Sequence, residues 1–360
     1  MTHPLSDQFR QQARHSLPGS PLYERLLTAM AEDLDRGGPT AAVVAGHQDD
    51  PPGTVLPLRL LGAVHRLVLA GALPGLAPYY PSVGGTEPVA GAWAALSAGL
   101  AGDPGRVREL LGRPVQTNET GRATLLYGAL LVVAARTGLP VRLLELGSSA
   151  GLNLLVDRYR YDVAVPGQGT ARTVSLGDPA SPLRFVQPWL GVPAADLATR
   201  LSIADRRGCD PNPVDPSDPE GRLTLTSFVW PDDTVRLGRL RAALAVAAAD
   251  PPPVDRSGAA DWLAAQLRRL RSGAVTVVWH SVMWQYVDGA ERRLVLELLA
   301  EAAGRATSAA PLAYVTFEPR QAPPRWSGVF ELRLSLWPRG GADWVLATAA
   351  GHGVPVRWSL

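Results

Sequence analysis

The spacing of apolar residues changes character near residue 140. Upstream, apolar side chains recur at helical intervals, the mark of elements with one buried face. Leu22–Leu34 follows Ser20-Pro21, a capping residue and a first-turn proline. Pro57–Leu73 predicts a second helix, apolar enough to be largely buried. Pro74–Gly85 is broken by proline and glycine. Gly91–Leu100 and Pro104–Leu111 predict short helices, and Ala123–Thr137 a longer apolar one. No strand is expected before residue 141. Residues 1–140 therefore read as a helical cap leading into a sheet.

Downstream the pattern is that of strands alternating with helices. Val141–Leu146 is a short apolar run with Glu145 near its end. Gly147-Ser148-Ser149-Ala150-Gly151 is a turn of small residues, and Leu152–Tyr159 predicts a helix start. Tyr159–Val165, Thr173–Leu176 and Leu183–Pro188 predict an inserted β-hairpin region over 159–190. A short helix at Ala194–Thr199 and a strand at Ile203–Asp210 follow. Pro231–Ala249 predicts a helix stopped by Asp250-Pro251-Pro252-Pro253, then Val254–Asp261 a short strand and Trp262–Leu270 a helix. Ala274–Val287 begins as a buried strand, Gly289–Ala303 is a helix, and Leu312–Phe317 is a second buried strand. Val329–Trp337 and Asp343–Thr348 predict a hairpin, followed by a last strand at Val354–Trp358. The expected fold class is α/β. A mostly parallel, Rossmann-like sheet would occupy residues 141–360, with an antiparallel C-terminal edge.

Composition narrows the function more than the fold. A chain of 360 residues with 46% hydrophobic content has room for two domains or one large one. The 35 basic and 33 acidic residues leave a net charge of +2, so no electrostatic footprint points to nucleic acid or an anionic membrane. Cys209 is the single cysteine, which excludes an intrachain disulfide and a thiolate metal cluster. The N-terminal stretch lacks the apolar core of a signal peptide. No run approaches the roughly 18 apolar residues of a transmembrane helix. The expectation is a soluble, cytoplasmic protein acting on a small molecule, without a metal, nucleic-acid or membrane partner. A protein partner or homo-oligomer stays open.

Ligands of open α/β sheets sit outside the carboxyl ends of the strands, so strand-end residues are the candidates. Small residues in Gly147–Gly151 permit close backbone approach, and a helix start offers free N–H groups. The dinucleotide fingerprint requires its third glycine one position later, and the phosphate-loop lysine is absent. Gly147-Ser148-Ser149-Ala150-Gly151 also matches the nucleophile elbow of α/β-hydrolases. Ser149 would then be the nucleophile, Asp210 or Glu318 the acid and His352 the base. That reading needs several strands before residue 141, where helices are expected. Asp210 ends a strand and is either a ligand carboxylate or the start of an Asx turn in Asp210-Pro211-Asn212-Pro213. His280 and Tyr286 follow a buried strand. An imidazole there can take a proton from an attacking nucleophile, or be a hydrogen-bonded structural group. Glu318, at the next strand end, is a further candidate, against a salt-bridge or capping role. In Gln116–Arg122, helical winding would put Asn118, Glu119 and Arg122 on one face, as a lid over a pocket or as caps and ion pairs.

The spacing in Glu145-Leu146-Gly147-Ser148-Ser149-Ala150-Gly151 resembles the first motif of class I S-adenosylmethionine-dependent methyltransferases, with Ser149 at the usual middle glycine. That resemblance covers about residues 141–360. It implies that the turn packs against the methionine and ribose of the cofactor. It also implies that Asp210 accepts hydrogen bonds from the ribose hydroxyls, for which two carboxylate oxygens are suited. Asp261 would touch the adenine, and Glu145, Asn153, Glu119 and Arg122 complete the expected cofactor-binding set. Six longer stretches, SPLYERLL, PLRLLGAVHRLVLAG, VQTNETGR, LLELGSSAGLNLLVDRYRYD, CDPNPVD and FVWPDDTVRLGRLRAAL, identify the chain as a member of a bacterial family catalogued as a domain of unknown function. That family is similar to the class I methyltransferases. The implied function is methyl transfer from S-adenosylmethionine to a small molecule, with His280, Tyr286 and Glu318 as the catalytic set. Two other functions fit the same fold. One is a non-methylating displacement such as intramolecular ring closure, with or without the cofactor. The other is a non-catalytic partner protein.

Overall fold

The computed structural model describes residues 3–16, 19–50, 54–165, 172–320 and 328–359. The chain divides into two compact units, Met1–Thr117 with Asp218–Gly238, and Asn118–Ser217 with Arg239–Leu360.

The first unit is helical. Its longer helices are Ser6–Ser16, Pro21–Arg36, Leu56–Leu69, Ala92–Gly102, Pro104–Leu111 and Pro219–Ser227. The first and the last were not expected from the sequence. Ser20 caps Pro21–Arg36 by accepting from Tyr23 N at 3.0 Å, and its hydroxyl donates to Asp232 at 2.6 Å. Leu22, Leu26, Leu60, Leu61 and Leu96 are buried together, and Trp230 packs against them. The 218–238 segment is thus part of this core. His65 is fully buried, with ring nitrogens 3.1 Å from Ser227 O and 2.8 Å from Ser82 Oγ. Burial lowers its pKa to about 4, so it is a neutral, satisfied core group.

The second unit carries the sheet. Its strands are β1 (Val141–Leu146), β2 (Arg160–Val165), β3 (Arg172–Gly177), β4 (Arg184–Val186), β5 (Trp189–Leu190), β6 (Ile203–Asp210), β7 (Val254–Arg256), β8 (Val275–Ser281), β9 (Leu312–Pro319), β10 (Phe330–Trp337), β11 (Trp344–Ala349) and β12 (Val356–Trp358). Nine of them form one sheet in the order β5-β12-β11-β10-β9-β8-β1-β6-β7. From β7 to β9 neighbours are parallel; β9 to β12 is an antiparallel meander, and β5 closes the edge parallel to β12. β3-β2-β4 make a separate small sheet, where the hairpin region was expected. The main sheet winds outward from β1 in both directions. The chain runs to β6 and β7 on one side and returns to β8 on the other. The topological switch point lies between β1 and β8, where open α/β sheets take their ligands.

Three local expectations are corrected. Leu152–Arg158 is a kinked 3₁₀ segment, with Leu155 at φ −88° and ψ 19°, not the start of an α-helix. Two phenols explain this: Tyr159 donates to Leu152 O at 2.5 Å and Tyr161 to Val156 O at 2.7 Å. They take carbonyls that a continuing helix would need. Ala194–Thr199 is irregular. Asp196 accepts from Ala198 N at 2.9 Å, an Asx turn that competes with helix. Finally, Val254–Asp261 is strand only over Val254–Arg256, with a helix from Ala259; Ala123–Thr137 forms the helix expected, within the sheet unit.

Gly128 fixes how that helix meets the sheet edge. A Cβ there would lie 2.2 Å from the Trp358 ring. Trp358 meets Trp189 edge-on at 5.4 Å, and Trp189 Nε1 donates to Thr124 O at 3.0 Å. Alanine for glycine within an exposed helix stabilises by about 1 kcal/mol. Here overpacking outweighs it, so Gly128→Ala is expected to destabilise by about 1–3 kcal/mol. Thermal melting checks this, and a raised midpoint would refute the packing.

Candidate functional site

The chain concentrates polar groups at the carboxyl ends of β1, β6, β8 and β9. β1 is covered on both faces, so Glu145 is carried into the interior. It pairs in register with Trp279 on β8, whose indole N–H donates to Glu145 Oε1 at 3.1 Å. Oε2 is buried and has no hydrogen-bond partner among the described residues. Burial pushes the Glu145 pKa up to about 8, against the pull of hydrogen bonds from Trp279 and Asn153 and the charge of Arg122. Glu145 is therefore mostly protonated at neutral pH. Asn153 is buried too, and its Oδ1 is unpartnered.

The turn after β1 is left-handed at Gly147 (φ 65°), Ser149 (φ 54°) and Gly151 (φ 71°). Two of these are glycines for an additional reason: a Cβ would lie 3.1 Å from Met283 at Gly147 and 2.8 Å from Val254 at Gly151. Ser149 adopts the same backbone with a side chain, at a cost of about 1 kcal/mol or more. Asp210, at the end of β6, holds it there. Its Oδ2 accepts from Ser149 N at 2.9 Å and its Oδ1 from Asn212 N at 2.8 Å. The Asx turn is thus present, and the same carboxylate also fixes the neighbouring strand's turn. A second acceptor position remains on each oxygen.

Backbone N–H groups expected to be free in the turn are paired. Ser148 N donates to Cys209 O at 3.0 Å, Gly151 N to Ser148 O at 2.8 Å, and Leu152 N to Asn118 Oδ1 at 2.9 Å. Asn118 reaches the turn from an irregular stretch; only Thr120–Arg122 winds, as a 3₁₀ turn. The single helical face expected for Asn118, Glu119 and Arg122 does not form. Glu119 accepts from Gly121 N at 2.9 Å, and its other oxygen lies 3.4 Å from His352 Nδ1. Arg122 donates to Ser281 O at 3.2 Å and Gly351 O at 3.1 Å, so it braces the end of β8.

His280 is fully buried, and its two ring nitrogens lie 2.8 Å from Glu318 Oε1 and 2.7 Å from Tyr314 Oη. Both ring nitrogens are thus occupied, which matches the hydrogen-bonded alternative weighed for this residue. Glu318 Oε1 also accepts from Met283 N at 3.1 Å and Trp284 N at 3.4 Å, while Oε2 is buried without a partner among the described residues. Tyr286 stands half-exposed on the 3₁₀ turn Trp284–Tyr286. Asp261 is exposed in the first turn of the helix Ala259–Leu267, a helix-start acid that joins neither group.

The described structure thus gathers Glu145, Gly147, Ser149, Gly151, Asn153 and Asp210 around the first turn. Glu318, His280 and Arg122 gather at the end of β8. Sequence reading missed Trp279, Tyr314 and Met283, and it expected Asn118 on a helical face rather than at the turn. Their roles depend on strand register and on a side chain meeting a turn distant in sequence. The hydrolase partners of Ser149 are committed elsewhere: Asp210 to backbone N–H groups, Glu318 to His280, and His352 beside Glu119. β1 is also the first strand among the described residues. Burial raises the Cys209 thiol to about 12, which makes it inert at neutral pH. No described helix is long and apolar enough to cross a membrane. Among the described residues no group of His, Cys, Asp and Glu is arranged to hold a metal.

These features define an α/β protein with a large, mostly parallel sheet and a polar strand-end edge at its switch point. Residues 6–358 match the family DUF2332, described as uncharacterised protein conserved in bacteria, and the chain belongs to that family. No curated protein and no solved structure matches it.

The raised pKa of Glu145 has a testable sign. The group is protonated in both folded and unfolded chains below its ordinary value of 4.5, and stability is lost as pH rises from there through about 8. Glu145→Gln mimics the protonated form. Its thermal midpoint is expected to match wild type near pH 4 and to exceed it at pH 8, reflecting a stability difference on the order of 1 kcal/mol or more. Equal midpoints at pH 8 would show that the carboxyl is not desolvated.

Proposed function

We propose that the carboxyl edge of the sheet binds S-adenosylmethionine and that the protein transfers its methyl group to a small molecule. One observation carries the reading. Asp210 at the end of β6 is hydrogen-bonded to Ser149 in the turn after β1, beside the switch point. That joins the two elements on which the resemblance to class I methyltransferases rests, and the parallel half of the sheet suits them.

The residues fit the cofactor in donor–acceptor terms. The remaining acceptor positions on Asp210 suit a pair of ribose hydroxyls. Glu145 Oε2 and Asn153 Oδ1 are buried and unpartnered, and they would face a polar ligand group. Gly147, Ser149 and Gly151 are left-handed, and of these three only Ser149 carries a side chain. The cofactor would supply a methyl group already electrophilic on a sulfonium. The protein's task is then alignment and exclusion of water. Glu318 Oε2 is the proton acceptor for the nucleophile, held in place by His280 and by the N–H groups of Met283 and Trp284.

Calorimetric titration of the full chain with S-adenosylmethionine or its demethylated product is expected to give saturable binding below the millimolar range. No binding at millimolar ligand would overturn the reading. Asp210→Ala should weaken binding at least about tenfold by removing both the hydroxyl partner and the brace on the turn. Ser149→Gly is expected to tighten it. Mass spectrometry of the product separates methyl gain from a displacement without methylation.

A further inference from the structure

We infer that Glu318 forms an ammonium-binding site at the end of β9, so that the small molecule acted on is an amine. This rests on the reading of the edge as a substrate site and adds the substrate class. The observation behind it is the asymmetry of the carboxylate. Oε1 is saturated by His280 Nδ1 and the N–H groups of Met283 and Trp284, whereas Oε2 is buried and unpartnered among the described residues. The side chain is 15% exposed, so solvent reaches its edge although Oε2 itself is covered. A buried carboxylate oxygen left unpartnered is costly, and a charged N–H donor satisfies it best. Trp284, whose ring lies tilted against His280 with centroids 4.4 Å apart, and half-exposed Tyr286 follow on the same turn. The charge of Glu318 reaches the Tyr286 phenol. A carboxylate with aromatic residues on the adjoining turn is a combination suited to a cation.

Arg122 is the opposing charge. Its field also reaches Tyr286, and its Nε and Nη1 donate to Gly351 O and Ser281 O. Two carbonyl partners partly offset that charge, whereas Glu318 Oε2 has no partner among the described residues to offset its own.

The test uses benzylamine, benzyl alcohol and benzoate as probes of one shape and three charge states. Ligand-observed NMR follows each against the full chain without cofactor. Wild type is expected to bind benzylamine at least about tenfold more tightly than benzyl alcohol. Glu318→Gln keeps an oxygen for His280, Met283 and Trp284 and replaces only the free acceptor by a donor. It is expected to abolish that preference. Equal binding of amine and alcohol to wild type, or tighter binding of benzoate, would overturn the inference without reference to any variant. Retention of the amine preference in a folded Glu318→Gln would do the same. Because these titrations contain no S-adenosylmethionine, their failure is separable from a failure of cofactor binding.

Discussion

One carboxylate at the end of β6 sets the geometry of its neighbours. Asp210 accepts from Ser149 N across the gap to the turn after β1, and from Asn212 N in its own following turn. Charge-assisted hydrogen bonds of this kind are roughly twice as strong as neutral ones. That strength sustains a serine in the left-handed region, a conformation that persists only where its surroundings over-determine it. The turn in turn positions Leu152 against Asn118 and Gly147 against Met283. The ends of β1, β6 and β8 are thereby fixed relative to each other.

The same edge shows three ways of placing an acid at a sheet end. Asp210 is anchored by backbone N–H groups on both oxygens. Glu318 is anchored on one oxygen and open on the other. Glu145 has the Trp279 indole on one oxygen and Asn153 nearby, and burial outweighs both to favour the neutral acid. Glu119, with one oxygen on its own following turn, has a capping role.

The strands of the sheet were legible because each carries its own signal. β6 lies where the sequence reading put it, and β1, β9 and β10 differ by at most two residues at an end. Helix Pro219–Ser227 was missed because Asp218 caps it from within a run of prolines and aspartates that reads as loop. The 3₁₀ character of Leu152–Arg158 depends on Tyr159 and Tyr161 folding back, which periodicity does not encode. At the site, the strand-end acids were found by position alone. The sealing of His280 was not, because it comes from Tyr314 two residues from its register partner on β9.

Both compact units are built from two separate chain segments. This has a consequence for the order in which the protein is made. The helical unit lacks Trp230 and Asp232 until the ribosome has passed residue 238, although most of its helices emerge long before. The sheet unit begins earlier with β1 and β6, but β8 is still missing when the helical unit is complete. β1 is buried between β6 and β8 in the finished sheet, so one of its edges waits uncovered during synthesis. A nascent chain of this protein thus finishes its N-terminal unit first and carries an open parallel strand until β8 arrives.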